Sequence, residues 1–265
     1  MKKVTLSARI LAAATVGFSV ITLAPAANAA SLTSLVPQQE TEIKTTNLGC
    51  LDVSKCIHTT TLPFGYEVTS LLYDTDGLSP EFGHSRLFVD KNGTENTYGL
   101  GIKFGANDAG TNTLIDEYWF RPVAMLTDGT PFEADSLGKG QLEVGKFLFD
   151  FGVKTVSSLT LDLFDVEDKD FTKILKVNGQ TLNPEIIAAA LANGKTQTIT
   201  LYNVNSFEVQ LGKPGPNSKF TNTGDGVRAQ VSVSVPEPGT MISLGALAVA
   251  GMFGVRKGKK ASQVG

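Results

Sequence analysis

Val227-Arg228-Ala229-Gln230-Val231-Ser232-Val233-Ser234-Val235 sets an apolar or small residue at every odd position and a polar one at every even position. A period of two sends successive side chains to opposite faces, so this stretch reads as a strand with one face on a core and one toward water. The same pattern recurs where Leu159, Leu161 and Leu163 alternate with Thr160 and Asp162. Between Leu142 and Phe151 the apolar set changes phase, from Leu142 and Val144 to Phe147, Phe149 and Phe151, and Gly145 at the change predicts a bulge. Thr196 to Tyr202 and Ser206 to Leu211 read as two more strands around Asn203-Val204-Asn205. Val177-Asn178-Gly179-Gln180 carries the Asn-Gly pair of a tight hairpin.

Upstream, Phe64 to Tyr73, Ser85 to Val89 and Leu114 to Phe120 are short runs rich in β-branched and aromatic residues. Asp74-Thr75-Asp76-Gly77, Lys91-Asn92-Gly93 and Asn107-Asp108-Ala109-Gly110 separate them as turns. One helix is predicted, from Asn183 as N-cap and Pro184 as first residue to Ala192, closed by Asn193-Gly194. About eight to eleven strands and one short helix predict an all-β fold, a single antiparallel β-sandwich of jelly-roll type. The reading divides the chain into residues 1–29, an N-terminal extension over 30–61, a sandwich over 62–235 and a tail over 236–260.

The chain has 265 residues, 42% of them apolar, which is enough for one sizeable core. Residues 30–235 hold 16 Lys and Arg against 25 Asp and Glu, a net charge of −9 that argues against nucleic acid as a partner.

Both ends are apolar for reasons unrelated to that core. Lys2, Lys3 and Arg9 precede an uncharged run from Ile10 to Leu23, Pro25 follows, and Ala27-Asn28-Ala29 places small residues where signal peptidase reads them. Cleavage is expected after Ala29, leaving an exported protein. At the other end, Thr240 to Val255 is an apolar run of 16 residues, roughly 24 Å as a helix against a hydrocarbon core of ~30 Å. Arg256, Lys257, Lys259 and Lys260 follow it directly and hold that side in the cytoplasm. A short span behind Pro236-Glu237-Pro238, with a basic stop, reads as temporary anchorage, the only use of the membrane that this chain predicts.

Residues Val235 to Lys260 resemble the PEP-CTERM sorting tail of Gram-negative bacteria and cyanobacteria, the substrate signal of exosortases. Pro236-Glu237-Pro238, the short apolar helix and the basic cluster stand in the family's order, with Gly258 interrupting the last. Leu142-Glu143-Val144-Gly145 followed by Phe147-Leu148-Phe149-Asp150-Phe151-Gly152 is similar to the signature of the LEVG family of PEP-CTERM proteins, with Leu161 to Glu167 and Gly224 to Val227 consistent with it. The resemblance implies a cyanobacterial origin, export, transient anchoring, exosortase cleavage near Pro-Glu-Pro and delivery to the cell surface or exopolysaccharide. It implies no catalytic activity.

Residue chemistry agrees with a non-enzymatic structural or adhesive role. The two histidines, His58 and His84, stand outside any recognisable catalytic motif, and no phosphate-binding loop is present. Cys50 and Cys56 read as a short-loop disulfide in an exported protein. The competing metal site, with His58 as third ligand, lacks a fourth ligand and a zinc-type spacing. No cofactor is expected beyond a structural calcium, for which Asp165, Glu167 and Asp225 are the candidates against an exposed acidic turn. Trp119 is the candidate for stacking on a sugar ring, against a half-core edge position. The second functional reading is therefore a carbohydrate-binding or polysaccharide-acting module with exopolysaccharide as ligand.

Overall fold

The structure, a computed structural model, describes residues 32–73, 82–106, 116–131, 143–192, 194–213 and 227–234. The alternation that opens the sequence becomes the strand Arg228–Ser234, in which Val231 and Val233 are buried and Ser232 stays half-exposed. Numbered along the chain, the strands are β1 (Leu32–Ser34), β2 (Thr41–Ile43), β3 (Cys56–Ile57), β4 (Glu67–Leu71), β5 (Arg86–Lys91), β6 (Asn96–Thr97), β7 (Lys103–Phe104) and β8 (Tyr118–Val123). They continue as β9 (Gly145–Asp150), β10 (Val156–Phe164), β11 (Lys173–Val177), β12 (Gln180–Ile187), β13 (Thr196–Val204), β14 (Ser206–Leu211) and β15 (Arg228–Ser234).

The protein is mostly β. An eight-stranded sheet runs β13-β10-β15-β8-β5-β2-β3, with β1 also paired to β15. A five-stranded sheet runs β12-β11-β14-β9-β4, and β6 and β7 form a small ribbon. Every pairing is antiparallel except β2 with β3.

One core lies between the two larger sheets. Leu159, Leu161, Val231 and Val233 enter it from the large sheet and Phe147, Phe149, Phe207 and Val209 from the smaller one. Phe149 and Phe207 stack within the five-stranded sheet at 4.9 Å, and Phe120 of β8 meets Phe149 from the opposite layer at 5.8 Å. Each such aromatic side chain removes a large apolar area from water.

Of the segment over 30–61, set apart above as an extension, the described residues 32–61 are built into this architecture. They contribute β1, β2 and β3 to the large sheet and Leu35, Val36 and Ile43 to the core. The buried Tyr66 hydroxyl donates to Leu35 O at 2.6 Å, tying the segment to the opposite layer. No helix forms over residues 183–192. Asn178 and Gly179 take positive φ and turn β11 into β12, and the pairing resumes at Ile174 with Ile186 after a shift in register. Asn183 and Pro184 occupy that irregular stretch on an edge strand, where a missing N–H breaks no ladder. Hairpin closure outweighs the local capping signals. Among the described residues the only helical turns are the 3-10 segments Thr59–Thr61 and Gly99–Gly101.

Gly145 is not a bulge. It opens β9 in regular register opposite Leu211. A Cβ there would lie 2.5 Å from the Phe147 ring and 2.9 Å from Ser85 Cβ, so close packing excludes a side chain. No helix among the described residues is long and apolar enough to cross a membrane. The predicted signal and sorting segments lie outside those residues.

Candidate functional site

The outer face of the large sheet divides into a covered half and an open half. Over β5 and β8, the segment 92–106 folds back and builds a second small core from Phe88, Ile102, Phe104, Val123 and Met125. Glu40 anchors this lobe by accepting from Lys91 N at 3.0 Å, from Asn96 Nδ2 at 2.6 Å and from the Thr94 hydroxyl. Beneath it Arg121 is 1% exposed and bridges Asp90 and Glu143, with its guanidinium 4.1 Å from the Phe104 ring centre. Burial works against that charge, but the two carboxylates outweigh it and hold the Arg121 guanidinium above its ordinary pKa. Burial lowers Arg228 to about 10, with Asp90 opposing the shift, so both arginines remain charged at neutral pH.

Trp119 belongs to the covered half. Its side chain is 4% exposed and packs on Phe164 at 5.7 Å, which corrects its assignment as a sugar platform. The alternation of β8 sends Trp119 to the outer face, but that face is not solvent there. A ring enclosed on both sides has no surface to offer a pyranose.

Over β1, β15, β10 and β13 the outer face is open. Pairing in register fixes its rows, because residues directly opposite share a face. Ser34, Ser232, Thr160 and Thr200 form one row across the four strands. Leu32, the buried Ser234, Ser158 and Tyr202 form the next, and Gln230, Asp162 and Thr198 a third. Neighbouring strands stand ~4.8 Å apart and rows about 7 Å apart. The intervening Leu159, Leu161, Leu201, Val231 and Val233 point into the core, which fixes this face rigidly.

The face carries mostly hydroxyls and amides, with the Asp162 carboxylate among them. Thr198 Oγ1 donates to Asp162 Oδ1 at 2.5 Å, and Gln230 Nε2 donates to Tyr118 O at 2.9 Å. Thr200 is exposed and Thr160 half-exposed, while Tyr202 is 69% exposed. Each hydroxyl can donate and accept, so the rows suit a ligand of alternating donors and acceptors, with Tyr202 as an apolar plate at one end. The sequence shows this as Ser or Thr at alternate positions of three strands. Alternation alone identifies such residues as facing water, and only the register shows that they align.

The remaining candidates are dispersed. Cys50 and Cys56 form a disulfide with Cα atoms 6.1 Å apart, and His58 is exposed beside it. His84 Nδ1 lies 2.9 Å from Ser70 O and 3.4 Å from Asn47 Nδ2, facing a carbonyl where a triad would place a carboxylate. It rims an apolar cleft of about 200 Å³ with Leu48, Leu72 and Met125. Asp165 is 2% exposed with φ of 63°, and its Oδ1 accepts from Gly194 N at 2.8 Å, closing the β10–β13 connection. Glu167 is half-buried. Asp225 lies outside the described residues, as do Ala27, Ala29, Pro236, Glu237, Pro238, Arg256, Lys257, Lys259 and Lys260. Among the described residues no group of three or more His, Cys, Asp or Glu side chains is placed to hold a metal.

Comparison with known proteins gives no curated protein and no solved structure that matches this chain. The profile of the PEP-CTERM protein-sorting motif matches residues 234–260. The chain therefore carries a PEP-CTERM protein-sorting motif, and the match supports an exported protein that an exosortase sorts.

Proposed function

We propose that the chain is exported behind a signal peptide cleaved after Ala29, held briefly in the membrane by the segment following Pro236-Glu237-Pro238, and released to the cell surface by an exosortase. The folded body then acts there without catalysis, as a structural or adhesive part of the envelope or its polysaccharide matrix. One observation carries this reading: the sorting motif begins at residue 234, where β15 ends. The last described core residue is Val233, so removing the tail costs the fold none of those core contacts.

Intact-mass measurement of the surface fraction, from cells with and without an exosortase, tests the proposal. A mass starting at residue 30 and ending near residue 237 is expected with the enzyme, and an uncleaved membrane-held chain without it. A surface form that keeps Met241 to Gly265 overturns it.

The open hydroxyl face favours a second reading, a polysaccharide-binding module in the same location. Tyr202 takes the stacking role there and Asp162, Thr160 and Thr200 the polar contacts. A structural calcium at Asp165, Glu167 and Asp225 belongs to this reading and predicts a rise in Tm on adding calcium. Retention of the protein on exopolysaccharide, lost in Tyr202→Ala, distinguishes it.

A further inference from the structure

Among the described residues the two larger sheets leave five open edges, formed by β13, β3 and the three-residue β1 in one and by β12 and β4 in the other. An open edge invites another strand, and proteins guard it with short length, proline, bulges or charge. β3 has only two residues, β12 carries Pro184, Glu185 and a register shift, and β4 begins at Glu67. From Thr196 to Tyr202, β13 has none of these. Its nine residues, Thr196 to Val204, hold no charge, proline or glycine and are rich in Thr, Ile, Leu, Tyr and Val.

The ladder phase shows which backbone groups β13 presents. Leu35 N donates to Val231 O at 2.7 Å, so odd residues of β15 bond to β1 and even ones to β10. Odd residues of β10 then bond to β13, and the Asp165 N to Lys195 O bond at 3.0 Å has this same phase. Thr196, Thr198, Thr200 and Tyr202 therefore aim their N–H and C=O groups at the open edge, up to Asn203, whose φ of 54° breaks the alternation and turns Val204 into the core. No strand among the described residues pairs there.

We propose that this edge pairs with the same edge of a second copy, β13 antiparallel to β13 about a two-fold axis through Thr200. Thr198, Thr200 and Tyr202 are symmetric about Thr200, so each N–H meets a C=O, giving about six bonds from these three pairs. Thr198 then lies beside the partner's Tyr202, and Ile199 beside the partner's Leu201. Residues 30–235 carry a net charge of −9, and this uncharged strand is where two such bodies approach at least electrostatic cost. The pairing joins two hydroxyl faces into one continuous surface. It rests on the fold alone and stands whether or not the tail is cut.

The test uses the full chain in its own cells, followed by light scattering on the purified protein. Oxidised Thr200→Cys is expected to give a covalent dimer and Val153→Cys, on an exposed turn, to give none. The unsubstituted protein is expected at twice the mass of one chain and Thr200→Lys at the mass of one chain, with far-UV circular dichroism and Tm unchanged. Single-chain mass at every concentration, a dimer that survives Thr200→Lys, or equal cross-linking at both cysteines overturns the proposal. A loss of folding in Thr200→Lys leaves the cross-linking pair to decide it.

Discussion

Arg121 Nε donates to Glu143 Oε2 at 3.0 Å where both side chains are almost fully buried, at 1% and 0% exposure. Asp90 takes the other end of the guanidinium at 2.6 Å, and Arg228 lies close enough to feel the same Asp90. Two arginines thus balance two carboxylates beneath the 92–106 lobe. Removing one partner strands the others in a poorly solvated site. Glu143→Gln and Arg121→Met are each expected to destabilise the fold by about 3–5 kcal/mol, read as lower denaturant midpoints with unchanged m values. A midpoint unmoved in both variants would show the cluster to be open to water.

Gly145→Ala is expected to cost about 1–3 kcal/mol. The added methyl meets the Phe147 ring, and Ser85 behind it, at distances real side chains do not tolerate. Urea unfolding of the pair Gly145→Ala and Gly179→Ala separates causes, since a Cβ at Gly179 meets nothing and only its φ of 72° resists substitution.

Acid should weaken the five-stranded sheet through Glu208. Burial alone would raise its pKa, but Lys176 at 2.9 Å and Lys146 at 3.0 Å outweigh it and hold the carboxyl below 4.5. The unfolded chain then binds the proton more readily, so this contribution is complete above pH 4.5 and fades as pH falls through the lower folded value. Glu208→Gln should flatten that part of a stability-against-pH curve. Glu42 has the opposite sign, because burial exceeds its bonds to Leu51 N and Arg86 and raises its pKa. Its contribution is present below pH 4.5 and fades as pH rises.

Trp119→Ala and Tyr202→Ala should separate stability from binding. Truncating the buried Trp119 is expected to cost about 3–5 kcal/mol. Truncating the exposed Tyr202 should change stability by under about 0.5 kcal/mol and reduce retention on exopolysaccharide. Equal retention by the Tyr202→Ala protein and its parent removes the sugar-binding reading.

The strands were legible where alternation is clean, as in Val227 to Ser234, and the Asn178-Gly179 turn was legible because few dipeptides accept two positive φ values. Pro184 misled the reading because the residue that suits a helix start also suits an edge strand, and the choice belongs to β11. Arg121, Asp90 and Glu143 were invisible as buried groups, since a charged residue in a strand-like run normally marks the solvent face. Only the chain folding back over residues 92–106 turns that face into an interior. Trp119 failed for the same reason. The hydroxyl rows depend on strand order, which no local pattern encodes.

Leu32 and Ser234 are paired neighbours, so the described chain enters and leaves the body side by side. Tension on an anchored tail would reach the fold at Ser234 along the axis of β15. That strand is held by seven successive pairs to β10 on one flank and by β1 and β8 on the other. A pull in this direction shears all of those bonds together instead of unzipping them singly, which makes the point of attachment a strand that resists extraction.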